Sequence, residues 1–169
     1  MTLIADTSSL VSLGSVHDQN PSPLILLLEH YDVAVPRQVI DELETISDKS
    51  QTDKDAADAV LSLKDELEIH DINPSTQRFD LGENAAIALS EELDAGYFLC
   101  DEFTNVMAIH ASLGEAELVT TPNLLKVLFK RGELSKQEAT RLLDDMTTAR
   151  NWEGNSYIKN ARGWFESQS

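Results

Sequence analysis

The chain has a single cysteine, Cys100, in 169 residues. An internal disulfide is excluded, and a reducing, cytoplasmic setting is the expected one. Long apolar runs are missing as well. The longest, Leu24 to Leu28, is closed by Glu29 and His30, far short of the roughly 20 residues that span a bilayer. No basic region precedes an apolar one at the start, so no secretory signal and no membrane partner are expected. Positive charge is scarce: 13 Lys and Arg stand against 30 Asp and Glu, for a net charge of −17. Such a chain repels nucleic acid unless positive charge is local or a metal intervenes. The acids are dispersed as on a solvated surface rather than gathered in a tail. At about 1 M salt the Debye length is about 3 Å, so the expectation is a halophilic protein from a high-salt cytoplasm. The chain also lacks G-x-x-x-x-G-K-[ST] and G-x-G-x-x-G, which disfavours nucleotide-loop enzymes. It lacks G-x-S-x-G, which argues against an α/β-hydrolase. His17, His30, His70 and His110 have no zinc-ligand spacing.

What is present is an alternation of strand and helix signals. Thr2 to Asp6 reads as a buried strand, followed by a helix over 8–16 with Leu10, Val11 and Leu13 inside. After a polar loop come a short helix over 24–30 and a strand, Asp32 to Val35, stopped by Pro36. Val39, Ile40, Leu43 and Ile46 have helical spacing. A polar stretch over 47–55 is expected as loop or helix start, a helix over 56–67, an edge strand over 68–72 and a loop over 73–80. A very apolar helix opens at Glu83, and Tyr97 to Cys100 is a buried strand ended by Asp101. The next helix should turn Val106, Met107, Ile109 and Leu113 inward, and a strand over 118–120 leads to a helix over 124–131. Helices over 135–150 and 155–166 close the chain. This alternation implies an α/β fold, a parallel sheet wrapped by helices, in one domain.

Four acids occupy related settings. Asp6 and Asp101 each end an apolar strand before a helix, where open α/β sheets bind ligands. Glu42 lies close to the Val39–Leu43 face of its helix, and a carboxylate there needs a partner. Glu83 follows Gly82 at a helix start, a place where an acid also simply complements the helix dipole. All four can converge at one end of the sheet. Carboxylates so gathered do not all stay ionised without a cation, and an all-oxygen set favours Mg²⁺ or Mn²⁺ over zinc.

The ordered set Asp6-Thr7-Ser8-Ser9-Leu10, Val35-Pro36-Arg37-Gln38-Val39-Ile40-Asp41-Glu42-Leu43, Leu81-Gly82-Glu83-Asn84-Ala85-Ala86-Ile87 and Leu99-Cys100-Asp101-Glu102 resembles the PIN-domain family, in the style of its VapC-like prokaryotic branch. The resemblance runs from Leu3 to about Leu134. It implies a three-layer domain with about five parallel strands, over residues 1–134, with residues 135–169 as a helical extension of the same domain. It implies a Mg²⁺- or Mn²⁺-dependent endoribonuclease and carries Asp6, Glu42, Glu83 and Asp101 over as catalytic and metal-site acids. Thr7, Ser8 and Asn105 are implied in support. Two departures matter. Relatives often have a hydroxyl residue before the fourth acid and an Asp after it; here Cys100 and Glu102 stand there, so the fourth ligand is Asp101 or Glu102. Basic residues for RNA are few, with Arg37, Lys126, Lys130 and Arg131 the best phosphate contacts, though solvated helix ends explain the last three equally well.

The expectation is a toxin of a toxin–antitoxin pair, with RNA as substrate and an antitoxin as protein partner. The alternative is a PIN fold kept as a binding scaffold in RNA processing. A small phosphatase is weaker, because no Asp-x-Asp pair follows the first strand. Trp152, Tyr157, Ile158, Trp164 and Phe165 exceed what one more surface helix needs, which points to a homodimer or to cover for a sheet edge.

Overall fold

A computed structural model describes residues 1–74 and 77–169. Its centre is a five-stranded sheet in the order β3-β2-β1-β4-β5. The strands are β1 (Thr2–Ala5), β2 (Asp32–Pro36), β3 (Glu68–His70), β4 (Tyr97–Leu99) and β5 (Glu117–Val119). All neighbouring pairs run parallel: Ile4, for example, pairs with Ala34 on one side and Phe98 on the other. The chain builds outward from β1 to β3, then crosses back to lay β4 on the other side of β1. The strand order therefore reverses beside β1, and the crevice outside the strand ends at such a point is where open α/β sheets place their ligands.

Side-chain alternation along β1 splits the core into two layers. Leu3 and Ala5 face one layer, with Val33, Val35 and Leu99, while Ile4 faces the other, with Ala34 and Phe98. The first layer is covered by α1 (Thr7–Gly14), α2 (Pro23–His30), α3 (Arg37–Lys49), α4 (Lys54–Leu61), α7 (Thr121–Lys130), α8 (Lys136–Arg150) and α9 (Ser156–Glu166). The second is covered by α5 (Leu81–Glu92) and α6 (Val106–Ser112). The result is the three-layer α/β sandwich expected of a parallel sheet with polar edges. The edge strands β3 and β5 stay partly exposed.

Local chemistry sets the helix starts. Asp6, Ser22, Asp80, Thr120, Ser135 and Asn155 each accept a backbone N–H of the turn they open. Ser135 and Glu138 form a reciprocal capping box. Gly14 lets α1 and α4 approach closely: a Cβ there would sit 2.3 Å from the Ala56 carbonyl oxygen.

Several sequence expectations need correction. In the stretch expected as loop or helix start over 47–55, α3 runs on through Lys49 and α4 begins at Lys54. The helix expected over 56–67 ends at Leu61, and a 3-10 turn over Lys64–Glu66 follows. Met107, expected inside, is 75% exposed. In a helix as short as α6, Val106 and Ile109 take the inward positions, and Met107 stands about 100° round the axis from Val106. The loop expected over 73–80 includes residues 75 and 76, outside the described residues. The apolar faces of α8 and α9, with Ala139, Leu142, Leu143, Met146, Ile158 and Phe165, belong to the same core layer as β1. Of the residues behind the expected dimer, Trp152, Ile158 and Phe165 are buried inside the chain, Trp164 is partly buried and Tyr157 is 38% exposed.

Candidate active site

Asp6 leaves the end of β1 and caps α1, its carboxylate accepting the Ser9 N–H at 2.9 Å. The Ser8 hydroxyl lies 2.9 and 2.8 Å from the two Asp6 oxygens. The same Ser8 oxygen accepts the backbone N–H of Asp101 at 3.0 Å. Ser9 Oγ lies 3.0 Å from the carbonyl oxygens of Asp6 and Leu99, so one hydroxyl ties the ends of β1 and β4 together. A serine pair following the first acid thus fixes the switch point. Thr7 behaves differently: its hydroxyl donates to Glu42 Oε2 at 3.2 Å and orients that acid rather than Asp6.

Glu42 comes from the second turn of α3, which follows β2 directly, and Glu83 from the first turn of α5. Gly82 leaves room for the Glu42 carboxylate beside the start of α5: a Cβ at that position would lie 1.7 Å from Glu42 Oε1. Glu42 Oε1 is buried with no hydrogen-bond partner among the described residues. Together these side chains wall a polar cavity of about 160 Å³, lined by Asp6, Glu42, Asp53, Asp80, Glu83, Glu102 and Arg150, among others. Drug-sized ligands fill about 300–1,000 Å³, so this space suits an ion and a small charged group.

The electrostatics follow from crowding acids in a place that is short of water. Burial pushes the Asp6 carboxyl up to about 6, against partial relief from the Cys100 thiol, Ser9 N–H and Ser8 hydroxyl. Burial and then the Asp80 carboxylate push Glu42 up to about 7 and Glu83 up to about 8. Glu102 is raised by burial and by Asp80, with Arg150 pulling the other way. Burial leads in every case, so these carboxylates ionise together only at a cost that a bound cation would relieve.

Of the acids named from the sequence, Asp6, Glu42 and Glu83 line the cavity, and so does Glu102. Asp101 is not among the lining residues. Its backbone is held beside Asp6, but its carboxylate turns to α7, accepting the Thr121 N–H at 2.7 Å and the Thr121 hydroxyl. Burial raises its pKa and those two bonds oppose the rise. Asn105 is exposed and makes no capping bond. Arg37 pairs with Asp71 at 3.0 Å on the surface. Lys126 and Lys130 both sit 5.4 Å above the Trp164 ring, and Arg131 sits 5.6 Å from that of Tyr31. None of these four basic residues lines the cavity. α7 starts at the site end, and at about 1.5 Å per residue Arg131 lies about 15 Å down the axis from Thr121.

Three lining residues escaped the sequence reading: Asp53, Asp80 and Arg150. Asp80 carries a local signal, a capping acid three residues ahead of Glu83. Arg150 carries none, being the last residue of a helix far along the chain.

The residues present fit a hard divalent cation. The donor set is all oxygen, one oxygen is buried and unpartnered, and several acids need neutralising. Among the described residues, no group of three or more His, Cys, Asp or Glu is already arranged as a cation cage. The site is thus a cluster of acids at a switch point, which defines the class as an α/β protein with a carboxylate-lined crevice at the strand ends. A family model described as a PIN domain matches residues 2–164, and the chain belongs to that family. PIN domains are generally nucleases and typically use divalent metal ions. No curated protein matches the chain. No helix among the described residues is long and apolar enough to cross a membrane.

Proposed function

We propose that this PIN domain is a Mg²⁺- or Mn²⁺-dependent endoribonuclease and the toxin of a toxin–antitoxin pair. One observation carries the reading: Asp6, Glu42, Glu83, Asp80 and Glu102 converge on one small cavity at the strand-order reversal. Asp6, Glu42 and Glu83 would hold the cation, with Glu102 rather than Asp101 as the fourth acid, since Asp101 is committed to Thr121. When bound, the cation offsets phosphate charge and lowers the pKa of a water for in-line attack. The chain's own residues then do the rest. Ser8 and Ser9 fix Asp6, Thr7 fixes Glu42, and Gly82 leaves the room the Glu42 carboxylate needs.

A labelled single-stranded RNA incubated with the protein, with and without Mn²⁺ and at low and high KCl, tests this. Metal-dependent cutting is expected in the parent and a loss of at least roughly 100-fold in Asp6→Asn, because metal positioning supplies much of the electrostatic stabilisation. Equal cutting by both proteins would remove Asp6 from the reaction. The second reading, a PIN scaffold without catalysis, draws on the turn of the Asp101 carboxylate away from the cavity to Thr121. It predicts RNA binding without cleavage under every condition.

A further inference from the structure

Arg150 stands apart from every other basic residue in the chain. It ends α8, where a cation complements the helix C-terminus, and it is the single basic side chain among those lining a cavity walled by six carboxylates. Its side chain is only 19% exposed. Among the described residues its one ion pair, Nη1 to Asp53 Oδ2, is 3.5 Å long, at the limit of hydrogen bonding. Its Nε is buried with no partner among the described residues. A guanidinium normally spends its fork on two parallel bonds to a carboxylate or phosphate. Here six carboxylates lie around the same cavity, yet Nε meets none of them. As the side chain stands Nε is closed to solvent, so the guanidinium has to swing off its long contact with Asp53 to turn Nε and a terminal nitrogen, side by side, toward two oxygens of one phosphate group.

We propose that Arg150 is the phosphate-binding residue of this site, contacting the non-bridging oxygens of a nucleic-acid phosphodiester whose other side faces the carboxylates. The proposal rests on the nuclease reading above. It also explains what the last helices contribute, since α8 and α9 deliver to the crevice the positive charge that the first 134 residues do not supply there. Phe103 stacks on Tyr157 with centroids 5.1 Å apart and meets Trp152 edge-on at 5.1 Å, so the loop carrying Asp101 and Glu102 is packed against the segment just beyond Arg150. Asp53 holds the guanidinium in place until an anion arrives. It is a competitor for the same charge, not a partner in binding.

That last point separates a ligand role from a structural one. If Arg150 only pins α8 to α4, Asp53→Asn and Arg150→Gln break the same contact and should act alike. If Arg150 binds phosphate, they should part: Arg150→Gln weakens RNA binding and Asp53→Asn does not. Stopped-flow anisotropy of a short fluorescein-labelled single-stranded RNA, in Mn²⁺ and at fixed KCl, reads binding ahead of any cutting. Arg150→Gln should weaken binding by roughly 10- to 100-fold, as expected for loss of a charge-assisted bond pair. Arg150→Lys should restore only part of it, because a point charge cannot reproduce the fork. Asp53→Asn should bind as tightly as the parent or tighter. Arg162→Gln, which removes an equal charge from an exposed pair with Asp144, should leave binding unchanged. The Mn²⁺-induced rise in unfolding temperature should persist in Arg150→Gln, since this residue does not hold the metal. Should Arg150→Gln fail to fold, Arg150→Lys against Asp53→Asn decides the matter. Equal affinities for parent and Arg150→Gln, parallel weakening by Arg150→Gln and Asp53→Asn, or no RNA binding by the parent would overturn the assignment. Binding that depends on Arg150, in a protein that never cuts RNA, would instead overturn the ribonuclease reading and keep Arg150 as the phosphate residue.

Discussion

Gly82 and Glu42 show how much of the site depends on single atoms. The missing Cβ of Gly82 is the space that the Glu42 carboxylate fills. In Gly82→Ala the methyl meets the far end of a flexible side chain, not backbone, so Glu42 can swing aside. Alanine is also the better residue in a helix, by about 1 kcal/mol. Gly82→Ala should therefore melt within a few degrees of the parent without metal. It should nonetheless lose most of its stabilisation by Mn²⁺, because a ligand stabilises only in proportion to its binding. Melting curves with EDTA and with Mn²⁺ check this. An unchanged Mn²⁺ response would mean that Glu42 is not needed where it stands.

At the scale of elements, Asp101 works as a latch. Its carboxylate joins the end of β4 to the first turn of α7 through the Thr121 N–H and hydroxyl, and all of these groups are buried. Truncating it strands two buried donors, which costs about 1–3 kcal/mol for each unsatisfied group. Asp101→Ala should lower stability in urea unfolding by a few kcal/mol, by the same amount with and without Mn²⁺. Glu102→Gln should do the reverse, changing the Mn²⁺ response with little effect on the metal-free protein. If Asp101→Ala abolished the Mn²⁺ response while leaving the fold intact, the latch would be the fourth ligand after all.

The whole molecule carries two kinds of excess negative charge, and they respond to different agents. Asp6, Glu42 and Glu83 titrate near 6, 7 and 8 when folded, against ordinary values of 3.8, 4.5 and 4.5. The folded state therefore holds more protons than the unfolded state across that window, and stability falls as pH rises through it. It is fully present below about pH 4 and lost progressively toward pH 8. The metal-free unfolding temperature should thus drop between pH 5 and pH 8, and Mn²⁺ should flatten that drop by binding the ionised form. The dispersed surface acids behave differently. They repel one another at low ionic strength and are screened by salt, so the unfolding temperature should climb as KCl goes from millimolar to molar. A climb would support the proposed halophilic origin; a flat curve would remove it. Molar KCl should leave the pH-dependence of the buried acids largely in place, because buried charges are screened much less.

The strand-helix alternation, the positions of Asp6, Glu42 and Glu83, and the parallel sheet were legible from the chain alone. Each rests on a local rule: apolar runs bury as strands, a capping acid starts a helix, and a glycine before an acid clears space. Local rules say where a backbone goes but not where a side chain points. They could not show that Asp101 would turn to Thr121 while its neighbour Glu102 faced the cavity, since the two sit one residue apart at the same strand end. Nor could they break the expected helix over 56–67, because the short β3 must return to the sheet beside β2. They also could not bring Arg150 from the end of α8 to the crevice, or consume Trp152 and Phe165 inside the protomer. Those outcomes depend on which distant surfaces meet, and that was decided by packing two layers of helices onto one sheet.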